Sequence, residues 1–164
     1  MKQEPSQEQL EIISHYYRKG EFETVLSKVT YLLGDFANST ILHNFLGICH
    51  NKLGNFQAAI ESYNEIVRIN PSDSDGYYNL ANCYMDLEEF DTAIRVYESV
   101  LGINANDAQA YNNMGICWEK KGEFSKAIKS YDNAVKIKPD LTTAHQNRYR
   151  ALKEKANSDE TARG

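Results

Sequence analysis

The chain has 164 residues, with 18 basic and 23 acidic side chains and a formal net charge of −5. That balance argues against a general nucleic-acid or anionic-membrane surface. No apolar run approaches the ~20 residues needed to span a bilayer, and Met1-Lys2-Gln3-Glu4-Pro5 lacks the apolar stretch of a secretory signal, so a cytoplasmic protein is expected.

One interval organises the rest. Cys49, Cys83 and Cys117 recur 34 residues apart, as do Asn79, Asn113 and Asn147, and Phe22, Phe56, Phe90 and Phe124. Recurrence at several unrelated residue types marks a tandem array. Cutting at the interval gives units 6–39, 40–73, 74–107 and 108–141, followed by 142–164. Within a unit, apolar places four, seven and eleven, then twenty, twenty-four and twenty-seven, follow helical spacing, so each unit is predicted to be two amphipathic helices.

In chain order, unit one opens with Ser6 and Gln9, the spacing of a capping box. It is the least regular unit. Ile13 and Val25 stand where later units have small residues, which predicts a more widely spaced first helix pair. Unit two carries His43, Leu46, Gly47, His50, Gly54, Phe56, Ala59, Tyr63, Ile66 and Pro71. Unit three matches with Tyr77, Leu80, Ala81, Tyr84, Glu88, Phe90, Ala93, Tyr97, Val100 and Ala105. Unit four has Tyr111, Met114, Gly115, Trp118, Gly122, Phe124, Ala127, Tyr131, Ala134 and Pro139. Gly54 and Gly122 suit the left-handed residue that ends a first helix, and Glu88 breaks that rule. Small residues at places eight and twenty predict close crossing of the two helices. Pro71 and Pro139 fall after the second helix, where a missing N–H stops propagation. Residues 142–156 repeat first-helix spacing with His145, Tyr149 and Leu152 and are expected to form a polar cap displaying Arg148, Arg150, Lys153 and Lys155. Residues 157–164 are expected to be a disordered tail.

This arrangement resembles the tetratricopeptide repeat family, which places large residues at four, seven and eleven, small ones at eight and twenty, and proline at thirty-two. The resemblance covers nearly the whole chain. It implies an all-α, right-handed superhelical solenoid of antiparallel helix pairs: four repeats plus a C-terminal capping helix, in a single domain over 1–156. It also implies that first helices line an inner, concave wall. The inner places are then Ile41, Asn44, Phe45, Ile48, Asn51 and Lys52 in unit two, and Asp75, Tyr78, Asn79, Asn82, Met85 and Asp86 in unit three. Unit four supplies Gln109, Asn112, Asn113, Ile116, Glu119 and Lys120, and the cap adds Gln146, Asn147 and Arg150. The candidate peptide-binding residues among these are Asn44, Phe45, Ile48, Tyr78, Asn79, Asn82, Met85, Asn112, Asn113, Ile116, Asn147 and Arg150. An amide both donates and accepts, so Asn79, Asn113 and Asn147 could form a ladder pairing with peptide backbone, or could simply solvate the groove. Phe45, Ile48, Tyr78, Met85 and Ile116 form an apolar rim.

Some relatives grip an acidic C-terminal tail with lysine, asparagine and arginine. The corresponding places here, counted from unit two, are Asn44, Ile48, Asn79, Gln109 and Asn113, so the cations that would pair with carboxylates are missing. The aromatics fall mostly on core places, which disfavours stacking on nucleic acid. His15, His43, His50 and His145 are scattered, with no nucleophile, phosphate-loop or metal constellation, so no enzyme activity, cofactor or metal is expected. Equivalent cysteines lie too far apart to pair and read as buried thiols. The expected function is a scaffold or adaptor that holds a peptide or helix of another protein in its groove, without nucleic acid or membrane insertion. Self-association through the basic cap, or service as the targeting part of a larger enzyme, is the alternative reading.

Overall fold

Every second helix begins at the repeated phenylalanine. The computed structural model describes residues 4–161, and among them nine helices and no strand. First helices of the repeats are α1 (Gln7–Arg18), α3 (Thr40–Lys52), α5 (Ser74–Asp86) and α7 (Ala108–Lys120). Their partners are α2 (Phe22–Leu33), α4 (Phe56–Ile69), α6 (Phe90–Ile103) and α8 (Phe124–Ile137), and α9 (Thr142–Thr161) follows. The three-residue turn inside each pair contains a left-handed residue: Gly20, Gly54 and Gly122 at φ 75–76°, and Glu88 at φ 60°. A Cβ in that region crowds the following carbonyl, so glycine is the unstrained choice and Glu88 holds the turn against its own preference.

The last place of a repeat caps the next first helix. Ser39 Oγ accepts from Leu42 N at 3.3 Å, Asp73 Oδ1 from Gly76 N at 2.8 Å and Asp107 Oδ1 from Ala110 N at 2.9 Å. Each satisfies an N–H that the helix leaves orphaned. Leu141, which has no side-chain acceptor, occupies the same place before α9 and is buried instead.

Close backbone approaches divide the chain into two compact units between Cys83 and Tyr84, inside α5. In the first unit, the capping box is present: Ser6 N donates to Gln9 Oε1 at 2.9 Å and Gln9 N to Ser6 Oγ at 3.3 Å. Ile13 and Val25 are fully buried, and α1 approaches α2 less closely along its length than α3 approaches α4. Two branched side chains where later repeats have glycine or alanine hold that pair apart. Ile13, Val25, Val29, Leu32, Phe36, Leu42 and Cys49 form the core here, each large aliphatic contributing about 1.5–3 kcal/mol by burial. In the second pair, a Cβ on Gly47 would fall 2.5 Å from the ring of buried Tyr63. Gly47 is therefore what lets the tyrosine lie flat on α3.

The second unit repeats that device. A Cβ on Gly115 would lie 2.5 Å from the Tyr131 ring. Tyr131 donates its hydroxyl hydrogen to Glu119 Oε2 at 2.8 Å, and the Tyr97 hydroxyl in the preceding pair lies 4.0 Å from Met85 Sδ. Ala127, Tyr131 and Ala151 cluster between α8 and α9, and Ala108, Ala134, Leu141 and Ala144 form a second cluster.

The cap departs from expectation in two ways. First, α9 continues through Thr161, five residues beyond the expected end at 156, supported by a Lys155–Asp159 pair at 2.7 Å and Thr161 Oγ1 donating to Asn157 O at 2.8 Å. The expected disorder thus fails over 157–161, while 162–164 lie outside the described residues. Second, the basic surface is largely spent locally. Arg148 pairs with Asp132 at 2.5 Å, Arg150 with Glu119 at 2.6 Å and Lys155 with Asp159. The apolar side chains Tyr149 and Leu152 are exposed alongside Arg150 and Lys153.

All three cysteines are buried thiols outside any disulfide. Burial, with a smaller contribution from Glu23, pushes the Cys49 thiol up to about 11, and burial pushes Cys117 up to about 12. Among the described residues, no helix is long and apolar enough to cross a membrane, and no group of three metal-ligating side chains is assembled.

Candidate functional site

In the first unit, the opening turns of α3 and α5 stand beside each other and leave a cleft of about 360 Å³. Thr40, Ile41 and Asn44 line it from α3. Asp75, Gly76, Tyr78 and Asn79 line it from α5, with Asp73 at the cap and Ile66 of α4 at the floor. Gly76 occupies place three, where other repeats have Leu42, Ala110 and Ala144. A Cβ there would fall 2.7 Å from Ile66 Cγ2, so the missing side chain brings α5 down onto the bulky Ile66. Asn79 Nδ2 lies 3.5 Å from Asn44 Oδ1, tying the two walls together. Deeper along the same helices, Asn51 Nδ2 lies 3.4 Å from Cys83 Sγ.

Of the candidate binding residues, Asn44, Tyr78 and Asn79 converge on this cleft, joined by Ile41 and Asp75 from the wider inner wall. Phe45 does not stand on an open rim. It is half-buried against the first hairpin, its ring edge-on to Tyr17 with centroids 6.0 Å apart. Ile48 and Asn82 are half-buried on their helices.

The second unit uses its candidates differently. Met85 packs against the Tyr97 hydroxyl, and Ile116 packs against the Ala127–Tyr131–Ala151 cluster. Asn112 was expected on the inner wall but is only 4% exposed, so it offers no binding surface. It donates from Nδ2 to Asn113 Oδ1 at 3.2 Å and accepts from Asn147 Nδ2 at 3.0 Å. Arg150 grips Glu119 with two nitrogens, at 2.6 and 3.2 Å, and Glu119 also accepts from Tyr131. Hydrogen bonding to Glu119 is what raises the Arg150 pKa, and burial together with that carboxylate raises the Tyr131 hydroxyl. These side chains fasten α9 onto α7.

The expected peptide-facing amide ladder is therefore partly internal. An amide at place six donates to the amide at place five of the preceding repeat, as Asn79 does to Asn44 and Asn147 does to Asn112. The legible signal was the 35-residue spacing of these pairs. Thr40, Ile66, Asp73 and Gly76 were missed as site residues, and the absent side chain at place three was the only sequence mark of the cleft.

Models of the tetratricopeptide repeat match residues 10–74, 50–112 and 108–141. With helix pairs packed in sequence order, the chain belongs to the tetratricopeptide repeat family, as its repeat places imply. A crystal structure of MamA superposes with a TM-score of 0.82 at 26% identity, covering 93% of this chain and 89% of that one. YrrB, described as a repeat protein of this family with an unusual peptide-binding site, gives 0.77 at 21% identity over 84% and 71%. The first repeat domain of Spaghetti (RPAP3), solved bound to the HSP90 peptide SRMEEVD, gives 0.68 at 20% identity over 71% and 93%. No curated protein is detectably similar in sequence.

Proposed function

We propose that the chain is a non-enzymatic protein-interaction module that holds a segment of a partner protein on its first-helix side. The cleft between α3 and α5 carries this reading. It is open, it mixes Ile41 and Tyr78 with the amides of Asn44 and Asn79, and its size suits one side chain of a passing segment. Peptide binding by YrrB and by the RPAP3 domain supports the same use of the fold. Ile66 and Gly76 fix the spacing of the walls before anything binds, which lowers the ordering cost of association.

The test is selection of displayed random short peptides on the immobilised protein, then titration of a recovered peptide. Tyr78→Ala should weaken binding about tenfold or more, as aromatic anchors do, while leaving the melting temperature nearly unchanged. Undiminished affinity in Tyr78→Ala would remove the cleft from the account.

A further inference from the structure

We infer that the segment held by this cleft presents a basic side chain, an arginine or lysine, to Asp75. The inference rests on the peptide-binding reading above and adds the chemistry of the occupant. Among the nine lining residues two carry carboxylates, Asp73 and Asp75, and none carries a cation. Their roles differ. Asp73 has Oδ1 engaged at 2.8 Å by the Gly76 N–H and serves the helix end. Asp75, in the first turn of α5, is exposed and lines the same wall as Tyr78 and Asn79.

The remaining surface matches a long cationic side chain part by part. Ile66 at the floor and the 40%-exposed Ile41 offer apolar contact to an aliphatic stem. Tyr78 adds an aromatic side chain to the lining, and Asn44 and Asn79 place amides on opposite walls. An acidic segment such as SRMEEVD, which the RPAP3 domain holds, would meet carboxylates here with no lysine or arginine to offset them.

Peptides selected on the wild-type protein should be enriched in arginine or lysine at one position. Replacing that residue by norleucine, or making Asp75→Asn in the protein, should each weaken binding about tenfold, and the two changes together should cost little more than either alone. Asp75→Asn keeps the side-chain shape outside the core, so its thermal melt serves as the folding control. Peptides that lose affinity in Tyr78→Ala yet carry no basic enrichment would overturn this inference and leave the groove reading standing. Basic peptides indifferent to Asp75→Asn would do the same. Recovery of no peptide that depends on Tyr78 would overturn both.

Discussion

Glu88 shows how a single residue can work against the pattern it belongs to. Its φ of 60° is the geometry that Gly20, Gly54 and Gly122 adopt freely, and a side chain there costs roughly 1 kcal/mol. Glu88→Gly should therefore leave stability unchanged or raise it by up to about 1 kcal/mol, and a urea midpoint below wild type would contradict the strain. Gly115 is the opposite case. Its Cβ would press on a Tyr131 ring tethered through the hydroxyl to Glu119. Gly115→Ala should cost about 1–3 kcal/mol by overpacking, read as a lowered thermal midpoint. At the same place the third repeat has Ala81, which is fully buried. Both glycine roles were open to a sequence reader, since one follows from a turn and the other from a small place facing a large one. What each tyrosine hydroxyl touches was not, because place twelve is Met85 in one repeat and Glu119 in the next.

Among elements, α9 is the most informative. Its start was legible from the repeat, but its end was not, because the expected boundary at 156 rested on polarity alone. Helical i,i+4 pairs such as Lys155–Asp159 sustain the helix past it. The attachment of α9 to α7 runs through Asn147 and Arg150. Removing the Asn147 amide leaves the buried Oδ1 of Asn112 without its 3.0 Å donor, a loss of about 1–3 kcal/mol. Asn147→Ala should therefore speed amide hydrogen exchange across 142–161. Unchanged protection there would show that the amide contributes nothing to the cap. The pairing of the basic surface was illegible for a related reason: a run of cations on one helix is visible in sequence, but the acids facing Arg148 and Arg150 across the packing are not.

At the scale of the whole molecule, the buried ionisable groups act in one direction. Cys49, Cys117, Tyr63 and Tyr131 all have folded-state pKa values raised chiefly by burial. A raised value means that the unfolded chain loses its proton first. The stabilisation is complete below the ordinary thiol value near 9 and is lost as pH climbs toward the folded values of about 11 and about 12. Thermal midpoints under reducing conditions should accordingly be flat below pH ~8 and fall through pH ~9–11. A midpoint that holds through that range would contradict the burial of these groups. The helix-pair fold was the most legible property of all, because a 34-residue interval copies each physical requirement several times and so separates it from chance. The cleft was the least legible, since it depends on one repeat departing from the others at Gly76.

The bond between Asn44 and Asn79 leaves Ile41 and Asp75 outside it, although all four share one cleft. In the reading proposed above, fastening and selecting thus fall to different side chains. Descendants of this sequence could exchange Ile41 or Asp75 and acquire a new clientele, while the two amides keep the helices beside each other as before.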